Sequence, residues 1–260
     1  MDSPVLLDIA PPFARLILNR PDKRNALNQA MWAAIPDLID RIEADPRVRV
    51  VLVSGVDARA FAAGADIGEF AALGHDPAAA GAFADRMAVA MRRLAGLAKP
   101  SIAVIQGPCV GGGCGIALCC DFRFADTSAE FGITPARLGV TYPLEDTKRL
   151  VDIVGLARAR DLLMTGHLID AEKALAIGLV DRLLPPDSLW AEAERYAAII
   201  AERSQYSVRA VKATIGEILS GASTETERSR RLFVDSFGGE DLAEGARAFL
   251  EKRPPRFTFS

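Results

Sequence analysis

Short apolar runs alternate with amphipathic stretches along the first part of the chain. Aliphatic and β-branched residues alternate over Phe13–Leu18 and cluster over residues 48–54, which predicts two strands. Between them, Gln29–Ala44 repeats apolar residues at helical spacing. A strand, a helix and a second buried strand in succession are typical of an α/β fold.

The same unit then recurs. Residues 77–98 predict a long helix that Lys99 and Pro100 end, and Ser101–Ile105 predicts a buried strand. Three consecutive glycines, 111–113, precede a short apolar helix predicted over 114–120, and residues 122–125 predict another strand. The glycines remove side chains where backbone must come close to a neighbour or a ligand.

From Thr147 onward the pattern is almost wholly helical. Helices are predicted over 148–154, with Asp146 and Thr147 as a cap, and over 157–165, 171–177, 187–203, 208–219 and 241–252. We therefore predict an α/β core with a ligand site over residues 1–204 and a helical oligomerisation region over residues 205–260.

Composition excludes several functional classes. Lys and Arg total 31 against 34 Asp and Glu, for a net charge of -3, so no basic field attracts nucleic acid or an anionic membrane. No apolar stretch has the length of a membrane span, and residues 1–10 lack the basic start of a secretory signal. A cytoplasmic location is expected. The four cysteines lack zinc spacing and only two histidines are present, so neither a metal site nor a catalytic triad is predicted.

Two segments of nearly bare backbone could hold a ligand. Residues 61–67 read Phe-Ala-Ala-Gly-Ala-Asp-Ile, and Gly111 to Gly113 stand at a predicted helix start. Unsatisfied N–H groups and the macrodipole favour negative charge at a helix start. Ile116 occupies the third-glycine position of a dinucleotide fingerprint, which excludes that motif. Close packing alone could also require such small residues, and both interpretations stay open.

A series of motifs along nearly the whole chain resembles the crotonase (enoyl-CoA hydratase/isomerase) superfamily. In chain order they are Asn19-Arg-Pro, Asn25-Ala-Leu, residues 61–67, Lys99-Pro, Gly107 with Gly111-Gly-Gly-Cys, Cys120-Asp-Phe-Arg, Phe131-Gly, Leu138-Gly, Thr165-Gly, Ala171…Ala174…Gly178-Leu-Val and Glu251-Lys-Arg.

The resemblance implies a spiral of ββα turns with a helical C-terminal region, assembled as a homotrimer or a dimer of trimers. It implies an acyl-CoA substrate whose thioester carbonyl lies between the N–H groups of Ala65 and Gly112. Coenzyme A would enter as part of the substrate, with no separate cofactor. Its expected contacts are Ala63, Ala65, Asp66 and Ile67, with Arg24 either a phosphate partner or an ordinary surface arginine.

The sequence departs from hydratases at both glutamates that activate water. The resemblance puts these acids at Gly115 and Pro135, and neither residue can transfer a proton. Residues 134–142 resemble the corresponding segment of the methylmalonyl-CoA decarboxylases, although those enzymes keep an acid where Gly115 stands. Tyr142 would then orient a carboxylate or protonate an enolate, or it is a core aromatic residue.

Glu145 and Asp146 are the nearest substitute acids, but two adjacent acids at a predicted helix start could equally match the helix dipole. Three functions therefore stay open. The first is an enolate-forming enzyme, for example a decarboxylase of malonyl-type thioesters. The second is a water-adding enzyme that uses Glu145 or Asp146. The third is a catalytically silent acyl-CoA-binding protein.

Overall fold

The computed structural model describes residues 3–74 and 76–258, and two sheets organise it. The strands are β1 Val5–Ala10, β2 Phe13–Leu18, β3 Val50–Gly55, β4 Ser101–Ile105, β5 Pro108–Val110, β6 Phe122–Asp126, β7 Glu130–Gly132, β8 Ile169–Asp170 and β9 Arg182–Leu184. The large sheet has the order β1-β2-β3-β4-β6-β9, and the small sheet has the order β5-β7-β8. Only the β1–β2 and β7–β8 pairs are antiparallel.

The described residues form twelve α-helices and a 3₁₀ turn at Pro21–Lys23. The helices are α1 Gln29–Ala44, α2 Ile67–Ala72, α3 Pro77–Ala95, α4 Gly112–Cys119, α5 Pro135–Leu138, α6 Leu144–Val154, α7 Leu156–Thr165, α8 Ala171–Ala176, α9 Leu189–Ala201, α10 Gln205–Leu219, α11 Glu227–Ser236 and α12 Glu240–Leu250. The predicted α/β class is confirmed.

One unit repeats through the core: a strand of the large sheet, a short strand of the small sheet, and then a helix. β4, β5 and α4 make one such unit, and β6, β7 and α5 make the next. In the unit that starts with β3, Ala62 forms an isolated parallel bridge with Cys109 of β5 in place of a full strand. The repeat places the loop after β3 beside the start of α4.

The large sheet is covered on both faces, which explains the unbroken apolar pattern of β3. Val51 and Val53 pack into the cluster that contains α1, α3 and α4, whereas Val50 and Leu52 pack against α9. All four side chains are fully buried. Helix α1 presents one apolar face to the core, and the Asn28 side chain caps it by accepting a hydrogen bond from the Met31 N–H.

Several predicted boundaries were wrong. The strand predicted over 48–54 is β3, Val50–Gly55, and the helix predicted from 148 begins at Leu144, with Pro143 rather than Asp146 or Thr147 as its N-cap. The short strands β5, β7 and β8 have two or three residues each, too few for a periodic pattern to reveal. Helix α10 begins at Gln205, where the core was expected to end; the division into two regions stays a prediction.

Candidate active site

The segment 61–67 lies directly beside the strand that leads into α4. The Ala62 N–H donates to the Pro108 carbonyl at 3.0 Å, and the Val110 N–H donates to the Ala62 carbonyl at 2.9 Å. A β-carbon at Gly113 would stand only 2.5 Å from the same Ala62 carbonyl oxygen. A glycine at 113 is therefore required for the two backbones to approach this closely.

Ala65 presents its N–H on the side of the loop that faces away from Leu27. The Leu27 N–H donates to the Gly64 carbonyl at 2.7 Å, and the Asp66 N–H donates to the Leu27 carbonyl at 2.9 Å. The Gly64 carbonyl and the Ala65 N–H belong to one trans peptide and point in opposite directions. Within residues 3–74 and 76–258, the Ala65 N–H finds no acceptor.

Gly112 is the first residue of α4, where an N–H has no acceptor inside its own helix. A β-carbon at Gly112 would stand 3.1 Å from Leu27 Cδ1 and 3.3 Å from Trp32 Cζ2. Leu27 therefore contacts both Gly112 and the loop that carries Ala65. The Gly112 N–H also lacks an acceptor in the described part of the chain, so the predicted pair of donors lies in two adjacent segments.

The side chains of Arg20 and Asn25 anchor the Ala65 loop through hydrogen bonds. The Arg20 guanidinium donates to the Asp66 carboxylate at 2.9 Å and also bonds the Ala26 carbonyl. The buried Asn25 side chain donates to the Ala60 carbonyl at 2.8 Å. The hydrogen bond from Arg20 lowers the pKa of Asp66. The sequence motif Asn19-Arg-Pro…Asn25 was a signal for these positioning roles, but it did not show what the side chains contact.

The predicted coenzyme A contacts form one patch around this loop. Arg24 is exposed in the left-handed conformation, and its carbonyl accepts the Ala63 N–H at 3.0 Å. Asp66 accepts the Gly68 N–H at 3.1 Å and so caps α2, whose first residue, Ile67, is 54% exposed. The structure thus leaves the side chains of Arg24 and Ile67 exposed.

Tyr142 occupies the space in which an acid at position 115 would stand. A β-carbon at Gly115 would lie 3.0 Å from the Tyr142 hydroxyl and 2.6 Å from Met91 Cε. The hydroxyl donates to the Gly111 carbonyl at 3.3 Å, and burial raises the pKa of Tyr142 well above its ordinary value. Tyr142 is therefore a neutral hydroxyl beside Gly115 and the Gly111 carbonyl, and its ring also packs against the core.

Pro135 is the first residue of α5 and is half-buried. Its neighbour Thr134 places Oγ1 4.0 Å from the point where a β-carbon at Gly111 would stand. The segment that would carry the second glutamate thus lies beside the site, but it supplies no acid.

Glu145 and Asp146 lie in the first turn of α6 and are both held by arginine. The exposed Glu145 carboxylate is 3.1 Å from Arg92 and 3.6 Å from Arg149. Asp146 is buried and accepts from Arg149 at 2.6 Å, while burial raises its pKa. Their position in the first turn matches the helix dipole, as one of the two interpretations expected.

All four cysteines are buried thiols. Burial raises the pKa of Cys120 to about 12 and that of Cys119 still further. Cys119 and Cys120 are therefore protonated at neutral pH, which argues against a nucleophilic role for either thiol.

Residues 12–259 match the sequence model of the enoyl-CoA hydratase/isomerase family. The chain belongs to this family. It is 36% identical over 268 residues to a crotonyl-CoA hydratase of Syntrophomonas wolfei, a match that covers 97% of both chains.

Solved structures of the family have the same fold. The chain matches a family protein from Hyphomonas neptunium with a TM-score of 0.96 and 45% identity, covering 99% of this chain and 98% of that one. An enoyl-CoA hydratase from Bacillus anthracis matches with a TM-score of 0.93 and 30% identity, covering 99% and 100%. The predicted crotonase-like spiral is confirmed.

Family membership identifies the chain as an enzyme of acyl-CoA chemistry. Within the described residues, no helix is both long enough and apolar enough to cross a bilayer. The family name covers more than one reaction.

Proposed function

We propose that this member of the family binds an acyl-CoA thioester through the N–H groups of Ala65 and Gly112 and stabilises its enolate. The observation that carries the proposal is the combination of two acceptor-free donors with a tyrosine hydroxyl in the place of the acid at position 115. Donors fixed before the reaction stabilise developing negative charge without reorganising.

Decarboxylation of a malonyl-type thioester is the reaction that these groups fit best. The bond between the α-carbon and the carboxylate breaks, carbon dioxide leaves, and the electron pair enters the enolate held by the two N–H groups. The Tyr142 hydroxyl then protonates the α-carbon and recovers its proton from water. No carboxylate base is needed for these steps.

Hydration is disfavoured by the same surroundings. Addition of water requires a group that removes its proton and one that protonates the α-carbon. In this proposal Tyr142 is the proton donor, but Gly115 and Pro135 supply no base to remove the proton of water, and the Glu145 carboxylate is engaged by two arginines. In this proposal Glu145 docks α6 onto α3 and has no role in proton transfer.

Exposed residues support the rest of the proposal, namely the coenzyme A contacts and the oligomeric state. Coenzyme A lies over Ala63, Asp66 and Ile67, with Arg24 at its phosphates. The C-terminal helices expose large apolar side chains, among them Phe233 at 62% and Phe249 at 82%, which supports assembly into a homotrimer or a dimer of trimers. The proposed location is the cytoplasm.

Separate incubations with methylmalonyl-CoA, malonyl-CoA and crotonyl-CoA, followed by mass spectrometry, test the reaction. We expect loss of carbon dioxide from a malonyl-type thioester and no hydration of crotonyl-CoA. Hydration without decarboxylation would overturn the proposed reaction. Binding of the thioesters without any turnover would instead indicate a catalytically silent acyl-CoA-binding protein.

A further inference from the structure

Residues 27–32 link the two segments that carry the proposed N–H donors. This connecting segment consists of Leu27, the helix cap Asn28 and the first turn of α1. Its backbone is bonded to the loop and helix around the first donor, Ala65, and two of its side chains contact the second donor, Gly112. A single short stretch of chain therefore touches both donors.

The backbone of the connecting segment is fixed at two points. Leu27 is bonded through its own N–H and its own carbonyl to Gly64 and Asp66, which flank the first proposed donor. The Gln29 N–H donates to the Glu69 carboxylate of α2 at 2.7 Å. The donor loop and α2 thus cannot shift relative to the connecting segment without breaking these hydrogen bonds.

The side chains of Leu27 and Trp32 lie against Gly112. Outside the helix of Gly112 itself, the three heavy atoms nearest to the point where its β-carbon would stand are Leu27 Cδ1 at 3.1 Å and Trp32 Cζ2 and Cη2 at 3.3 Å and 3.6 Å. Both side chains are fully buried. The Trp32 indole N–H has no acceptor within residues 3–74 and 76–258, so packing rather than a hydrogen bond holds this ring.

Ala62 also joins the two segments, but it does so before α4 begins. Its backbone hydrogen bonds go to Pro108 and Val110 of β5, which both precede Gly112 along the chain. The contacts from the connecting segment are the ones that reach the residue carrying the second donor.

The separation of the two donors matters because one oxyanion has to accept both hydrogen bonds. An N–H···O bond has a donor–acceptor distance of about 2.7–3.2 Å, and a misplacement of about 1 Å at a reacting centre can lower a rate by about 10²-fold. Protein interiors are close-packed and transmit strain. An apolar side chain packed between the two segments can therefore hold the donors at a fixed separation.

We propose that the Leu27 side chain is a positioning residue that sets the separation of the Ala65 and Gly112 N–H groups, with Trp32 packed on the same side of Gly112. The inference rests on the proposed enolate site at these two donors. Leu27 itself touches no part of the substrate and acts through the two peptide groups. Shortening its side chain opens space beside Gly112 and leaves the backbone bonds of Leu27 in place.

The test compares Leu27→Ala with Leu16→Ala. Both leucines are fully buried in the same core cluster, so both substitutions leave a cavity, but Leu16 lies in the middle of β2. We expect kcat for a malonyl-type thioester to be lower in Leu27→Ala than in Leu16→Ala by up to about 10²-fold. Leu27→Met nearly conserves the side-chain volume and should restore turnover.

Acetoacetyl-CoA separates the positioning role from the proposed function. Its enolate absorbs in the near ultraviolet, and at saturating ligand this band reports how well the two donors act together. We expect the band in the wild type, Leu16→Ala and Leu27→Met, and a weaker band in Leu27→Ala. Bands of equal strength in folded Leu27→Ala and Leu16→Ala would overturn the positioning role and leave the enolate site standing. Absence of the band in the wild type would contradict the enolate site and the positioning role together.

The affinity for free coenzyme A, measured by calorimetry, distinguishes misplaced donors from a disrupted loop. Coenzyme A has no thioester carbonyl, so Leu27→Ala should bind it as tightly as the wild type does. A loss of coenzyme A affinity that matches the loss of turnover would overturn a role specific to the donors. Leu27→Val also lacks the δ-carbons but leaves a smaller cavity, and it replaces Leu27→Ala if that variant does not fold.

Discussion

The Tyr142 hydroxyl lies 3.0 Å from the point where a β-carbon at Gly115 would stand. A side chain at 115 would therefore press against the Tyr142 hydroxyl, which would have to move by a few tenths of an ångström. In the proposed function, the Tyr142 hydroxyl takes the place of the acid that the family resemblance puts at position 115. The hydroxyl stays neutral, because burial raises the pKa of Tyr142.

Tyr142→Phe removes only the hydroxyl and tests its proposed role in proton transfer. We expect decarboxylation to slow by about 10²–10⁴-fold, the usual range for loss of a general acid. Because the hydroxyl makes one hydrogen bond, to the Gly111 carbonyl at 3.3 Å, the free energy of unfolding should fall by no more than about 1 kcal/mol. Steady-state kinetics and urea unfolding measure the two quantities.

The proposed role of Tyr142 also predicts how the rate of decarboxylation depends on pH. Since the pKa of Tyr142 is raised, the wild-type rate should not decline through loss of the Tyr142 proton near pH 10, where an ordinary tyrosine ionises. Turnover by Tyr142→Phe equal to that of the wild type would show that Tyr142 is only a packing residue.

Three glycines should respond differently to alanine. A β-carbon at Gly113 would meet the Ala62 backbone oxygen at 2.5 Å, which cannot move freely, so we expect the free energy of unfolding to fall by about 1–3 kcal/mol or more. At Gly115 the nearest atom belongs to the flexible Met91 side chain, and the loss should be smaller. The control is Gly81→Ala on the exposed face of α3, where nothing lies within 4 Å.

Gly81→Ala should stabilise the protein by about 0.4–1 kcal/mol, because alanine favours the helix and restricts the unfolded chain. Denaturant unfolding of the three variants gives the order. A Gly113→Ala protein as stable as the wild type would contradict the close approach of the two backbones beside Ala62.

The ion pair between Arg20 and Asp66 should make stability depend on pH. The hydrogen bond from Arg20 lowers the folded pKa of Asp66, so the folded state binds this proton less readily than the unfolded state does. The contribution is complete above the unfolded pKa, about 3.9, and is lost as the pH falls through the lower folded value.

Asp66→Asn keeps a good helix cap for α2 but removes the charge. We expect it to lower the free energy of unfolding at pH 7 and to match the wild type near pH 2. Asp22→Asn, at an exposed position of the 3₁₀ turn, is the control. An equal loss for Asp66→Asn at both pH values would mean that charge does not explain the effect.

The fold could be predicted from the sequence where a pattern was long and periodic. Helix α1 and strands β2 and β4 have the predicted bounds, because burial sets their apolar spacing. The strands of the small sheet could not be predicted, since each is too short to show a period. Helix α11, Glu227–Ser236, leaves Phe233 and Val234 more than half exposed, so its pattern gave no clear buried face.

The site shows a similar division. The sequence indicated backbone contacts near Ala65 and Gly112, because glycine and alanine, which allow such contacts, can be read directly from it. That Tyr142 and Met91 fill the space at Gly115 depends on how α3, α4 and α6 pack. No spacing along the chain encodes that contact.

The Gly112 N–H can be removed by a side-chain substitution because of its place in α4. Gly112 is the first helical residue, a position at which proline is well tolerated and at which its missing N–H breaks no helical hydrogen bond. Gly112→Pro therefore deletes one proposed donor. Gly112→Ala is the matched control, because it adds a β-carbon against Leu27 and Trp32 but keeps the N–H.

We expect Gly112→Pro to lower turnover by about 10²–10³-fold relative to Gly112→Ala, the usual effect of losing one such donor. The enolate of acetoacetyl-CoA absorbs in the near ultraviolet, and this band should weaken on binding to Gly112→Pro and persist on binding to Gly112→Ala. Circular dichroism and urea unfolding establish that both variants are folded. Equal turnover by the two folded variants would show that the Gly112 N–H does not stabilise the enolate, whatever its position suggests.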